Sequence, residues 1–177
     1  MIENTIQVRI ASSADNILLA ELGGRTFSEA FAPDNAPEDM ALYLTASFSP
    51  EKQAAELTDS KSTFLIAEIA SAPVGYGRLR LGLPPASVTG TKPIEIVRLY
   101  AATPWIGRGV GAALMTSCLE VARSKGCDTI WLDVWERNSR AIAFYQKWGF
   151  EIVGTQSFQL GRDVQRDYLM QRLVVAR

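Results

Sequence analysis

A mixed α/β sheet with helices on both faces, folded as a single unit over residues 1–177, is the fold class this sequence predicts. Three observations lead there. Apolar residues switch between strand and helix spacing in the order strand, helices, three strands, helix, strand, helix, two strands. No repeat, low-complexity tract or linker interrupts that order. A length of 177 residues suits one domain with a sizeable core.

The elements follow in order. Ile6, Val8 and Ile10 alternate with polar residues and form a half-buried strand. Ser12, Ser13 and Asp15 are helix-capping types, and Ile17, Leu18 and Leu22 follow at helical spacing; Gly23-Gly24 is expected to weaken or break that helix before Phe27–Phe31. Pro37-Glu38-Asp39 opens a second helix with Met40, Tyr43, Leu44 and Phe48 on one face, and Ser49-Pro50-Glu51 opens a third. Ser62–Ile69 and Pro73–Leu81 are strands joined by a tight connection at Ala70-Ser71-Ala72, and Gly82–Pro93 is an exposed loop. Ile94–Ala101 is a strand. A glycine-rich segment then leads into a helix running to about Lys125, with Gly126 at its C′ position and Arg123 and Lys125 at the negative end of its dipole. Thr129–Trp135 is a strand, Ser139–Trp148 a helix stopped by Gly149, and Phe150–Phe158 and Asp167–Leu173 are the last two strands.

Composition excludes several chemistries. The chain has no histidine, so Ser-His-Asp and Cys-His mechanisms are ruled out within it. Its two cysteines, Cys118 and Cys127, lie nine apart, and without histidine they cannot complete a four-ligand zinc site, so no metal is expected. Eighteen basic against nineteen acidic residues give a net charge of −1, which argues against nucleic-acid binding. Met1–Ile10 carries Glu3 and Arg9 and no apolar run, and no apolar stretch approaches the ~20 residues a membrane span needs. A cytoplasmic protein with reduced cysteines is expected.

Gly107, Gly109 and Gly111 alternate just before a helix that puts Val110, Ala113 and Leu114 on one face. Glycines there let a ligand approach the backbone, and the first N–H groups of the helix form an anion site, with Arg108 as a further donor. A tight turn without a ligand is the plainer reading. Gly107-x-Gly109-x-x-Ala112 also matches a dinucleotide fingerprint, with Asp133 as its ribose acid. Against that, four residues separate the glycines from the preceding strand, and only 44 residues follow Asp133, too few for the rest of such a fold.

The segment Asn138-Ser-Arg-Ala-Ile-Ala-Phe-Tyr145-Gln-Lys-Trp-Gly149-Phe150, following a strand and a glycine-loop helix, resembles the Gcn5-related N-acetyltransferase (GNAT) superfamily. That family's phosphate loop is commonly Gln/Arg-x-x-Gly-x-Gly/Ala; here it is Ile106-Gly107-Arg108-Gly109-Val110-Gly111, with Ile106 where a polar residue is usual. A narrower resemblance, to the bacterial PaiA-type spermidine/spermine acetyltransferases, rests on Phe27-x-Glu29-x-Phe31, Asn35-x-Pro37-Glu38-x-Met40, Tyr43-Leu44, Ile130-Trp131-Leu132, Val134-Trp135-Glu136 and Ser157-Phe158. The resemblance implies a mostly antiparallel sheet of six or seven strands, with a bulge in Ile94–Ala101 and a splay between the fourth and fifth strands. It implies acetyl-CoA as cofactor, its diphosphate on Ile106–Ala112 and its pantetheine arm against Leu99, Tyr100, Ala101 and Asn138. Homodimers are frequent in the family.

Asn138 and Tyr145, seven residues apart, project from one helix face ~10 Å apart. A phenol of pKa ~10 can protonate a departing thiolate of pKa ~8.5, which makes Tyr145 the candidate acid. On spacing alone Tyr145 reads first as a core residue beside Ala141, Phe144 and Trp148, and the family resemblance reverses that preference. An alkylamine of pKa ~10.4 must lose a proton before attack, and without histidine the bases are carboxylates. Glu95, read on the same side of its strand as Val97 and Leu99, is one candidate; Asp133 and Glu136 are others. In this superfamily the early helices wall the acceptor site. Glu29, Asp34, Glu38 and Asp39 could draw in a polyamine there, and Phe31 and Tyr43 could line its methylenes. The reading is direct acetyl transfer to a primary amine such as spermidine or spermine. Protein amino groups or drug amines are alternative acceptors, and a non-catalytic acyl-CoA sensor is the alternative outside enzymology.

Overall fold

The structure of the chain, a computed structural model, describes residues 5–174, so Glu3 lies outside it. Seven strands form one sheet in the order β1-β2-β3-β4-β5-β7-β6. They are β1 (Ile6–Ile10), β2 (Ser62–Ile69), β3 (Ala72–Leu81), β4 (Pro93–Ala101), β5 (Thr129–Trp135), β6 (Glu151–Leu160) and β7 (Asp163–Leu173). Every neighbouring pair is antiparallel except β4 with β5. This is a mixed sheet in which a dinucleotide fold's run of parallel strands has no place.

Helices cover both faces. α4 (Val110–Ser124) and α5 (Ser139–Lys147) lie on the first, where Val110, Leu114, Met115 and Cys118 pack with Leu79, Ile96, Ile130 and Leu132. α1 (Asn16–Phe31), α2 (Pro37–Ser47) and α3 (Pro50–Thr58) lie on the second, over Phe64, Ile66, Tyr76 and Leu160. Three helix entries are built from local chemistry. Ser12 and Asp15 form a reciprocal capping box ahead of α1, Ser49 accepts from the Lys52 N–H ahead of α3, and Asn138 accepts from the Ala141 N–H at α5.

The fold departs from the sequence reading in two places. α1 runs unbroken through Gly23-Gly24. A Cβ on Gly23 would stand 2.6 Å from the Phe48 ring and 3.0 Å from the Tyr76 hydroxyl, so the glycine lets an aromatic side chain press against the helix. That packing outweighs its low helix propensity. The last two strands are longer than expected and form a hairpin about Gly161-Arg162. Its turn docks on α2: the Arg162 N–H donates to Asp39 Oδ1 at 2.8 Å, and Gly161 adopts φ +60° against the Asp39 backbone. Asp39 is therefore buried as a clamp. β4 also carries the bulge that the family resemblance implies. Arg78 pairs with Arg98 and Leu79 with Ile96, leaving Val97 as the extra residue. Before the bulge Ile94 and Ile96 face the α4 side; after it Leu99 and Ala101 do, and Tyr100 faces the helices of the second side.

Candidate active site

The parallel pairing of β4 with β5 covers only Pro93–Glu95 against Thr129–Trp131. Beyond it the strands part, and the backbone of Leu99, Tyr100 and Ala101 borders the gap. At the same end the chain leaves β4 through a short 3-10 turn (Thr103–Trp105) into the glycine segment. Gly107 and Gly109 have φ of +76° and +91°, which non-glycine residues rarely adopt. Around Gly107 no atom lies within 4 Å of an added Cβ. Ala113 is the first residue of α4 to close a helical bond, to the Gly109 carbonyl at 2.9 Å. The N–H groups of Val110, Gly111 and Ala112 are thus free to serve an anion. Arg108 is exposed, its guanidinium 5.7 Å from the Trp105 ring, and Ile106 is exposed beside it. Gly111 serves packing, since its added Cβ would touch the Phe144 ring at 3.4 Å. An open turn with donors at one end and a cleft between strands at the other fits a diphosphate carrying a thin arm.

Tyr145 is buried in the core of the first face, edge-on to Phe144 (5.4 Å) and Phe150 (5.7 Å). Burial raises its pKa, so the hydroxyl keeps its proton at neutral pH. Asn138 is the N-cap of α5, one residue before the helix; its Oδ1 is committed to Ala141 at 3.2 Å, leaving its amide nitrogen as the donor it can offer. Cys118 is fully buried with its thiol pushed up to about 12, which disqualifies it as a nucleophile.

The second face carries an aromatic chamber. Phe31 meets Tyr100 at 6.3 Å and 86°, and Trp135 at 6.2 Å and 63°. Tyr43 stacks on Phe27 at 4.5 Å and leans on Phe158 at 5.5 Å. The floor beneath is acidic. Asp133 accepts from Gln156 Nε2 at 2.6 Å and burial raises its pKa. Glu95 is on this face, because the bulge at Val97 reverses the alternation; it is not on the side of Leu99, as simple counting gives. Nor are its neighbours apolar: Arg80 donates to it at 2.7 and 3.2 Å. Burial outweighs that pairing and raises its pKa. Next to them is Asp167, which the sequence reading missed. It is directly opposite Trp135 on β5 and Gln156 on β6, 5% exposed, and desolvation with the charges of Asp133 and Glu136 pushes it up to about 7. The signal lay in strand alternation: Asp167 is two positions before inward-facing Leu169.

The remaining predicted wall residues have other surroundings. Glu29 takes the Thr103 N–H and hydroxyl at 3.0 and 2.8 Å, tying α1 to the turn after β4. Glu38 is exposed on the first turn of α2. Glu136 accepts from Arg166 Nε at 2.7 Å at the rim of a cleft of about 570 Å³ that Asp34, Trp135 and Gln156 also line.

The known proteins that share this geometry identify the family. The acetyltransferase (GNAT) family matches residues 26–150. An uncharacterized N-acetyltransferase of Mycobacterium tuberculosis is 37% identical over 157 residues, covering 89% of this chain and 96% of that one. The chain belongs to the GNAT family of N-acetyltransferases. The spermidine N(1)-acetyltransferase of Thermoplasma acidophilum is 25% identical over 155 residues, covering 85% of this chain and 91% of that enzyme. Among solved structures, the PaiA N-acetyltransferase of the same organism in complex with coenzyme A superposes with a TM-score of 0.76 at 22% identity, over 96% of this chain and 99% of that one. GNAT enzymes take their acetyl group from acetyl-CoA, and the glycine turn and strand gap of this chain fit that donor. Among the described residues no group of side chains suits a metal ion and no helix is long and apolar enough to cross a membrane.

Proposed function

We propose that this GNAT enzyme acetylates a primary amine that carries further positive charge, a polyamine such as spermidine or spermine, by direct transfer within a ternary complex. The observation that supports the reading is the pair of buried acids Asp133 and Asp167 beside Trp135, which meets Phe31, with Glu95 further along the same face. Acetyl-CoA supplies an activated acyl carbon.

This chain's residues do the rest. The N–H groups of Val110–Ala112, with Arg108, hold the diphosphate. Asn138 positions the arm through its amide nitrogen. Tyr145, kept protonated by burial, stands where a departing sulfur needs a proton. The chain offers no histidine-activated nucleophile and Cys118 is inert, so nitrogen attacks the thioester directly. Aromatic faces suit methylene chains, and buried carboxylates suit ammonium groups. The likeness to a spermidine acetyltransferase supports the same class.

Initial rates with spermidine, spermine and hexylamine test this. The polyamines are expected to exceed hexylamine at least tenfold in kcat/KM, with the advantage shrinking as salt screens the acids. Equal kcat/KM for hexylamine would refute the polyamine assignment, and equilibrium dialysis without coenzyme A retention would refute the enzyme.

A further inference from the structure

We propose that Asp167 is the proton acceptor for the incoming amine, taking a proton from its ammonium nitrogen directly or through one water; this rests on the acetyltransferase reading above. Four observations place it. Asp167 is 5% exposed, and its Oδ1 has no hydrogen-bond partner among the described residues. An unpaired buried carboxylate oxygen costs several kcal/mol unless a ligand completes it. In register Asp167 is flanked by Trp135 and Gln156, both of which line the cleft. Its rivals are already engaged: Glu95 by Arg80 at 2.7 Å, Asp133 by Gln156 at 2.6 Å, and Glu136 by Arg166.

The groups around Asp167 set its proton affinity. From β5 come Asp133 and Glu136, with Arg137 drawn onto the Trp135 ring at 5.3 Å. From β6, directly opposite in register, comes the neutral Gln156. No guanidinium is bonded to Asp167 itself among the described residues, and its pKa near 7 suits a base that must be ionised yet basic at neutral pH. The step is a proton transfer: R–NH3+ and the Asp167 carboxylate become R–NH2 and the carboxylic acid. The nitrogen lone pair is freed for attack, and the acid later returns its proton to bulk water.

The test is a pH series on the full chain. Wild-type kcat/KM for spermidine is expected to rise with an inflection near pH 7. Asp167→Asn is expected to lose that inflection and at least 100-fold in kcat at pH 7, with the deficit narrowing toward pH 9–10 as the amine loses its proton unaided. Glu95→Gln is expected to keep the inflection. Carboxyl 13C NMR of the unliganded wild type, assigned by the resonance missing in Asp167→Asn or, if that variant does not fold, in Asp167→Glu, is expected to show one aspartate titrating near pH 7. A retained inflection in the asparagine variant, or an Asp167 resonance titrating below pH 5, would overturn the proposal. Coenzyme A binding by calorimetry separates the two readings: its loss in wild type sinks the acetyltransferase assignment, whereas normal binding and turnover with an unchanged Asp167→Asn profile sinks this inference alone.

Discussion

Glu56→Gln should be far more costly than its position on a surface helix implies. Glu56 on α3 meets Arg78 of β3 at 2.8 Å and Arg98 of β4 at 2.7 Å. All three side chains are at most 9% exposed, so one carboxylate neutralises two buried guanidinium groups. The amide has the same shape but no charge and strands both. Removing one partner of a buried ion pair costs about 3–5 kcal/mol. For a chain of this length that lowers Tm by roughly 10 °C. Urea unfolding by circular dichroism, at pH 7 and constant slope, reads the loss directly. Glu51→Gln, an exposed acid on the same helix, is the control and should stay within about 0.5 kcal/mol of wild type. Replacing the whole triad with Leu and Met should cost much less than the single change, because no charge is left uncompensated; what it loses is the stacking of Arg98 on Phe48 (4.9 Å) and Arg78 on Phe64 (5.4 Å). If Glu56→Gln unfolds within 1 kcal/mol of wild type, the triad is not the staple we describe.

Three further outcomes are expected. Tyr145→Phe should lower kcat by at least about 100-fold while leaving the coenzyme A Kd within about threefold; equal turnover across pH would remove Tyr145 as the acid. Gly109→Ala places a side chain at φ +91°, at a cost of about 1–2 kcal/mol, and tilts the α4 N–H groups, so calorimetry should find coenzyme A bound roughly tenfold more weakly. Stability against pH should distinguish Asp167→Asn from wild type. The folded-state value of Asp167, about 7, lies above the unfolded ~3.9, so the folded protein holds the extra proton, and wild-type stability falls relative to the variant as pH rises from about 4 through 7, then levels off. Asp15, held down to about 2 by Arg9, has the opposite sign and weakens both proteins alike as pH drops from about 4 to 2. Parallel curves between pH 4 and 8 would contradict the assignment.

What the sequence disclosed and what it concealed separate along one line. Local signals carried through: β1 matches the span read from alternation and β2 the span read from an apolar run, Gly126 and Gly149 close α4 and α5 at positive φ, and the glycine turn adopts the left-handed conformations its residues allow. The features that failed depend on residues distant in sequence. The unbroken α1 needs Phe48 to explain Gly23. The face of Glu95 turns on one extra residue at Val97, which no local composition marks. The Glu56 triad joins three elements, and the isolation of Asp167 emerges only when β5 and β6 flank it. The glycine turn was legible because its conformation is set within one contiguous loop; of the acids on the second face Glu95 and Asp133 were named from the sequence, whereas Asp167 was not, because its setting is assembled from β5, β6 and β7.

The charge on the second face is divided in a way that packing alone does not require. Near α3 two arginines share one glutamate, leaving a buried excess of positive charge. Across the sheet Arg80 bonds Glu95 alone, and Asp133 and Asp167 have no bonded cation among the described residues, leaving an excess of negative charge beside Trp135. Burying unbalanced acids destabilises the free protein, and such a cost persists where a ligand relieves it. A polycation entering from the Asp34–Glu136 rim would move toward the acids and away from Arg78 and Arg98, so the same field that raises the pKa of Asp167 would also orient the chain of amines. Substrate attraction and proton removal then share one electrostatic origin, and a variant that neutralises Asp133 should weaken both together, raising KM for spermidine while lowering the pH at which turnover inflects.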